Sequence, residues 1–214
     1  MGQLRITEIF LSLQGETSTV GLPTVFVRLT GCPLRCGYCD TAYAFSGGAV
    51  METAQVLDQV AEHGVRHVTV TGGEPLAQSE CASLLVALCD AGYAVSLETS
   101  GAMDVAEVDS RVVKVVDLKT PGSSEVGRKL FSNLAHCGQR DQIKFVICNR
   151  QDYDWARLIC DQHDLFSKVG EVLFSPSWEA LDAAELADWI LQDRLPVRMQ
   201  IQLHKVLWGD RPGT

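Results

Sequence analysis

Gly31-Cys-Pro-Leu-Arg-Cys-Gly-Tyr-Cys-Asp40, entered from the strand-like run Val25–Thr30, places Cys32, Cys36 and Cys39 within eight residues and within reach of one metal centre. Thiolates are the ligands that select iron–sulfur clusters, zinc or copper(I), and a four-iron cluster is ordinarily held by four of them. The loop supplies three, and the next cysteine, Cys81, lies far along the chain. An iron without a protein ligand is a place where a small molecule binds and reacts. A zinc knuckle or a closed electron-transfer cluster stands as the plainer alternative, and either needs a fourth protein ligand.

Outward from that loop, β-branched runs mark strands at Val25–Thr30, His67–Thr71, Tyr93–Thr99, Val112–Leu118, Gln142–Cys148, Glu171–Ser175 and Val197–Leu203. Helical apolar spacing runs over Thr53–His63, Ser79–Ala91, Asp152–His163 and Leu181–Leu191, the first two closing on Gly64 and Gly92. Alternating β and α segments predict an α/β fold with a mostly parallel sheet. A closed eightfold barrel takes about 250 residues, more than the 214 here. The expectation is an incomplete, open β/α barrel forming a single domain over residues 1–214. Chemistry in such folds collects where strands end. Those ends carry the cysteine loop, Thr71-Gly-Gly-Glu-Pro75, Glu98-Thr-Ser-Gly101, Asp117-Leu-Lys119, Ser175-Pro-Ser177 and Gln200–His204. Each also has a bland reading: Gly-Gly as a turn, Ser175 as a cap, Asp117 as an ion-pair partner of Lys119.

Eight cysteines in this chain point to a reducing compartment and metal binding rather than to a disulfide framework. The start Met1-Gly-Gln-Leu-Arg-Ile6 has no charged-then-apolar leader, and Leu84–Cys89 is far short of the ~20 apolar residues that span a bilayer. A cytoplasmic protein with no membrane partner is expected. A net charge of −9 argues against a nucleic-acid substrate, whose phosphates need a basic face.

Cys-x3-Cys-x2-Cys with Tyr38 just before the third cysteine resembles the signature of radical S-adenosylmethionine (SAM) enzymes. In that superfamily SAM chelates the open iron, its sulfonium is cleaved by one electron, and the resulting 5′-deoxyadenosyl radical takes a hydrogen from the substrate. The resemblance implies one 4Fe–4S cluster on Cys32, Cys36 and Cys39, with Tyr38 near the adenine. Gly72-Gly-Glu-Pro75 resembles the second superfamily signature, implying that Gly72, Gly73 and Glu74 hold the SAM amino group. Glycine permits close backbone approach, and a carboxylate accepts strong hydrogen bonds from an ammonium.

Ser12-Leu-Gln-Gly-Glu16, Arg28 four residues before the first cysteine, Asp40-Thr41 after the third, Thr-Gly-Gly-Glu-Pro and Glu-Thr-Ser-Gly together resemble the 7-carboxy-7-deazaguanine synthase family, over about Ile9 to Lys144. That family converts 6-carboxy-5,6,7,8-tetrahydropterin into 7-carboxy-7-deazaguanine with loss of ammonia. The resemblance implies Arg28 on the substrate carboxylate, Gln14, Gly15 and Glu16 along the pterin edge, and Thr41 on Mg2+, with Asp40 as the rival ligand. Thr99 and His204 are weaker candidates for the substrate, and Ser100, Asp117, Lys119 and Ser175 for SAM, all placed by strand ends. An external electron donor such as flavodoxin and a homodimer are further implications. Arg28 also admits a plainer reading, an edge-strand arginine paired with a carboxylate; Glu16 admits one as a solvated turn residue. The rival enzyme is a glycyl-radical-enzyme activase, which needs no pterin reader.

Overall fold

The computed structural model describes residues 2–128, 130–178, 180–209, 211 and 213. Nine strands form one sheet: β1 Gln3–Leu13, β2 Pro23–Leu29, β3 Ala49–Glu52, β4 His67–Gly72, β5 Ala94–Thr99, β6 Val113–Asp117, β7 Gln142–Ile147, β8 Glu171–Pro176 and β9 Arg198–Met199. The helices are α1 Thr53–Glu62, α2 Cys81–Asp90, α3 Arg150–Gln162, α4 Leu165–Lys168, α5 Ala183–Asp193 and α6 Leu203–Trp208. The spatial order is β3-β1-β2-β4-β5-β6-β7-β8-β9, so the sheet is open with β3 and β9 at its edges. From β2 to β9 all neighbours run parallel; β1 pairs antiparallel with both β2 and β3. The expected α/β architecture, an incomplete barrel of mostly parallel strands, is what forms.

Period-two alternation sorts each strand between two environments. On β2, Val25, Val27 and Leu29 are buried with Val56 and Val60 of α1 and Leu84, Leu85 and Leu88 of α2. On β7 and β8, Ile143, Phe145, Phe174 and Val172 pack with Tyr153, Ala156, Ile159 and Cys160 of α3 and Leu186 of α5. Helices therefore cover one face. The other face carries Phe26, Arg28 and Lys144 into a cavity. The helices begin on sequence-encoded caps: Asn149 accepts from Asp152 N, Asp182 from Ala184 N, and Glu52 with Gln55 forms a reciprocal box on α1.

Two sequence expectations change. β1 is an eleven-residue strand, so β2 lies inside the sheet rather than at its edge. The expected last strand, Val197–Leu203, shrinks to Arg198–Met199, and the chain turns into α6 from Leu203. Gln200 N still bonds Phe174 O, but the Gln200 side chain turns to Thr17 O and ties this segment to the loop after β1 instead of lengthening the sheet.

Candidate active site

One cavity of about 530 Å³ opens at the carboxyl ends of the strands, within the range of small-molecule sites. Cys32, Cys36 and Cys39 line one side of it, and Gln14, Gly15, Glu16, Arg28, Glu98, Lys144 and His204 line the rest. Tyr38, Thr41, Gly72, Gly73, Thr99, Ser100, Asp117, Lys119 and Ser175 also line it. Every residue expected from the sequence is thus at the cavity wall except Glu74.

Glu74 is completely buried, and its carboxylate is taken up by the protein. It accepts from Leu76 N at 3.1 Å, Ser100 N at 2.7 Å, the Thr99 hydroxyl at 2.9 Å and the Ser100 hydroxyl. Glu74 N in turn donates to Gly31 O at 2.8 Å, and a Cβ on Gly73 would lie 2.4 Å from that same oxygen and 2.6 Å from Cys32 Cβ. The Gly-Gly-Glu turn is therefore a brace that seats the cysteine loop and the end of β5. Its glycines reach the cavity; its carboxylate does not.

Across the cavity floor, charges alternate. Arg28 Nε donates to Glu8 Oε1 at 2.7 Å, and its guanidinium lies 5.8 and 5.9 Å from the ring centres of Phe10 and Tyr43. Burial alone would lower the Arg28 pKa, but Tyr43 and Glu8 beside it carry it upward, so the group stays cationic. Lys144 is ion-paired to Glu16 Oε2. Burial pushes the Glu16 carboxyl up, yet Lys144 overrides this and holds it at about 2. Glu16 Oε1 faces Gln202 Nε2 at 3.3 Å and His204 Nδ1 at 3.8 Å, and Gln202 Nε2 also reaches Asp40 Oδ2 at 2.8 Å. Gln14, expected along the pterin edge, engages its amide within the protein. Its Nε2 donates to Thr69 Oγ1 and Glu98 Oε1 at 3.1 and 3.2 Å, and its Oε1 accepts from Gly15 N and Glu16 N. It fixes the loop that presents Glu16.

Sequence reasoning gave no site role to Glu8, Glu98 or Lys144. The signal was there: Lys144 stands between Ile143 and Phe145 on a strand, and Glu98 shares its β5 face with Ser96, so both are charged residues facing away from the packed core.

The residues also fit an iron–sulfur cluster and SAM. Among the described residues, no fourth cysteine lines the cavity, and Cys81 is fully buried in α2, where burial pushes its thiol to about 12. Burial likewise raises the Cys32 and Cys36 thiols, a penalty that coordination by iron removes because it binds the thiolate. Nearby, Asp117 accepts from Lys119 Nζ through Oδ2 at 2.6 Å while its buried Oδ1, like the Tyr38 hydroxyl, has no hydrogen-bond partner among the described residues. Buried polar atoms without partners are rare in folded proteins. Here they belong to cavity walls, where a polar cofactor would satisfy them.

Residues 26–117 match the model of the radical SAM superfamily. The 7-carboxy-7-deazaguanine synthase of Koribacter versatilis is 43% identical over 96% of this chain and 97% of its own, and that of Chlorobaculum tepidum 42% identical over 96% and 94%. The chain belongs to the 7-carboxy-7-deazaguanine synthase family. Among solved structures, QueE from Escherichia coli superposes with a TM-score of 0.76 over 94% of each chain at 23% identity, a likeness of fold. SuiB of Streptococcus suis bound to S-adenosylmethionine matches at a TM-score of 0.57, over 84% of this chain and 50% of its own. Membership of the 7-carboxy-7-deazaguanine synthase family places this chain among radical SAM enzymes, with a 4Fe–4S cluster and SAM as cofactors. Among the described residues, no helix is long and apolar enough to cross a membrane.

Proposed function

We propose that this chain converts 6-carboxy-5,6,7,8-tetrahydropterin into 7-carboxy-7-deazaguanine with release of ammonia. The observation that carries the reading is the charge pattern of the floor: a largely enclosed guanidinium, a carboxylate ion-paired to Lys144 and three thiols share one cavity. Glu8 engages Arg28 through Nε, and among the described residues no hydrogen bond takes the Nη groups, which this reading assigns to the substrate. A guanidinium fork matches a carboxylate bidentately. Glu16, anionic at any working pH, accepts from the donor row of the pterin's amidine-like edge. Lys144 holds that carboxylate in place, and Gln14 fixes the backbone that carries it by accepting from Glu16 N.

The cluster would sit on Cys32, Cys36 and Cys39, and SAM would lie against Tyr38, Gly72, Gly73, Ser100, Asp117, Lys119 and Ser175. Together these cofactors supply one-electron abstraction of hydrogen from substrate carbon. The protein binds, orients and keeps water out. Thr41 stands at the N-cap position of the short 3-10 helix Ala42–Phe45 with its hydroxyl not used as a cap, which leaves that oxygen for Mg2+; Asp40, whose Oδ2 accepts from Gln202, is the rival ligand and lies with Glu16 and His204 in one group that could hold a metal ion. His204 closes the mouth from α6. A cytoplasmic homodimer acting as one domain per chain, reduced by a flavodoxin-like donor, completes the reading.

Anaerobic incubation of the reconstituted protein with SAM, reductant, Mg2+ and carboxytetrahydropterin, followed by mass spectrometry, tests it. The expected product is 7-carboxy-7-deazaguanine. SAM cleavage without that product would sink the assignment.

A further inference from the structure

The cavity floor holds two glutamates in opposite surroundings. Glu16 touches the Lys144 ammonium. Glu98, on β5, lines the same cavity but forms no ion pair among the described residues. Its Oε1 accepts from Gln14 Nε2 at 3.2 Å, and its Oε2 lies 3.5 Å from the Thr71 hydroxyl. The charged groups facing it are Lys144 from β7, Glu16 from the loop after β1, and Arg28 from β2. Both cations are engaged elsewhere, Lys144 by Glu16 and Arg28 by Glu8. Thr71 of β4 and Val115 of β6 flank it without charge. Burial therefore prevails, and it raises the Glu98 carboxyl above its ordinary range. Two carboxyl groups in one site, pushed apart by their environments, mark out an acid and a permanent anion.

We propose that Glu98 carries the proton for ammonia release, protonating the departing amine and then taking a proton from the ring. The inference rests on the reaction proposed above. The product is the substrate less one ammonia, so the step needs no outside oxidant or reductant. The Glu98 proton goes to the amine nitrogen as the carbon–nitrogen bond breaks, and the bonding pair leaves with nitrogen. The adjacent ring carbon then gives its proton to the Glu98 carboxylate, its electron pair forms the ring double bond, and the acid is regenerated.

Glu98→Gln keeps the shape and neutrality of the protonated acid but carries no transferable proton. It should retain its cluster, bind SAM, hold KM within about threefold, and still move deuterium from the pterin C6 position into 5′-deoxyadenosine. Its kcat for 7-carboxy-7-deazaguanine should fall by at least about a hundredfold, the usual scale of acid–base catalysis. Glu98→Asp should recover part of that loss. Independently of turnover, nuclear magnetic resonance titration of carboxyl-labelled glutamates in the protein without its cluster should show one group titrating above the ordinary range, missing in Glu98→Gln. If Glu98→Gln does not fold, Glu98→Asp gives the same assignment through its lost resonance. A kcat within fivefold of wild type, a rise in KM alone, loss of the deuterium transfer, or the absence of any raised carboxyl would overturn the role. Wild type that makes no 7-carboxy-7-deazaguanine would overturn the reaction itself and the acid role with it, a result distinguishable from a working wild type with an equally working Glu98→Gln.

Discussion

The cysteine side of the cavity and its charged floor are built by different logics. On the cysteine side, the chemistry is contiguous: Cys32 to Thr41 form one loop, braced by Gly73 and Glu74 against Gly31. The floor is assembled from distant pieces. Glu8 and Arg28 meet across β1 and β2, while Glu16 and Lys144 meet from opposite ends of the resemblance, 128 positions apart. A contiguous loop can present its ligands in register with itself, whereas a floor of paired charges exists only if the sheet closes the distances. Damage to the first should remove the cofactor and leave the fold; damage to the second should leave the cofactor and alter substrate handling or stability.

The sharpest break falls on the loop. Cys32→Ala, Cys36→Ala or Cys39→Ala should each lose the four-iron cluster and all turnover, measured by iron and sulfide content after anaerobic reconstitution. Cys81→Ala should keep both, because that thiol is sealed inside the α1–α2 side of the core. A cluster lost in Cys81→Ala would mean that the centre is closed by four cysteines and that the open-iron argument is wrong.

On the floor, Arg28→Ala should retain cluster and SAM binding but lose roughly a hundredfold or more in kcat/KM. Removing one partner of a buried charge pair costs on the order of 3–5 kcal/mol, against about 0–1 kcal/mol for an exposed pair. The side chain is largely enclosed, at 14% exposure, which selects the larger figure. A loss under about fivefold would show that Arg28 serves Glu8 and not the substrate.

Lys144→Met separates stability from chemistry. The Glu16 carboxyl is held at about 2, below its usual 4.5, so the fold favours its ionised form. That contribution is present above the ordinary carboxylate range and is lost as the pH falls from there toward 2. Removing Lys144 strands a buried anion and should destabilise the protein by a few kcal/mol near neutrality. Denaturant unfolding at pH 7 and pH 4 should show the gap to wild type narrowing at the lower pH, where the stranded carboxyl takes up a proton. An equal gap at both pH values would mean that Lys144 does not govern the ionisation of Glu16.

This division also explains what was legible in the sequence. The cysteine loop, the Gly-Gly-Glu turn and the parallel β/α order are local patterns, and the open barrel follows from them. β1 escaped because a long antiparallel strand ahead of the first parallel one has no place in a simple β/α count, although Leu4 and Ile6 are both buried on it. Glu74 shows the opposite case. A carboxylate beside two glycines suggests a ligand contact, but the end of β5 folds back over it and supplies the donors instead. Lys144 needed the fold to bring it to Glu16 across 128 positions, and Glu98, though it opens the Glu-Thr-Ser-Gly stretch, needed the fold to show that its own side chain lines the cavity.

The mildest expected effect sits where loop and floor meet, at Thr41. Its hydroxyl lies 3.9 Å from Cys39 Sγ, a distance at which any hydrogen bond to sulfur is weak, and it does not cap the helix that follows. Thr41→Val preserves shape and removes one oxygen. Fold and cluster should therefore survive, and the change in stability should stay within about 1 kcal/mol, the usual net worth of a single hydrogen bond. What should change is the response to magnesium. Mg2+ keeps most of its waters and takes few protein ligands, so loss of one hydroxyl should weaken its hold without abolishing it. Wild-type turnover should drop on chelation and recover on adding Mg2+, with Thr41→Val needing more of the ion for a smaller recovery. Identical magnesium curves for the two proteins would remove Thr41 from the metal and leave its hydroxyl as part of the cysteine loop alone.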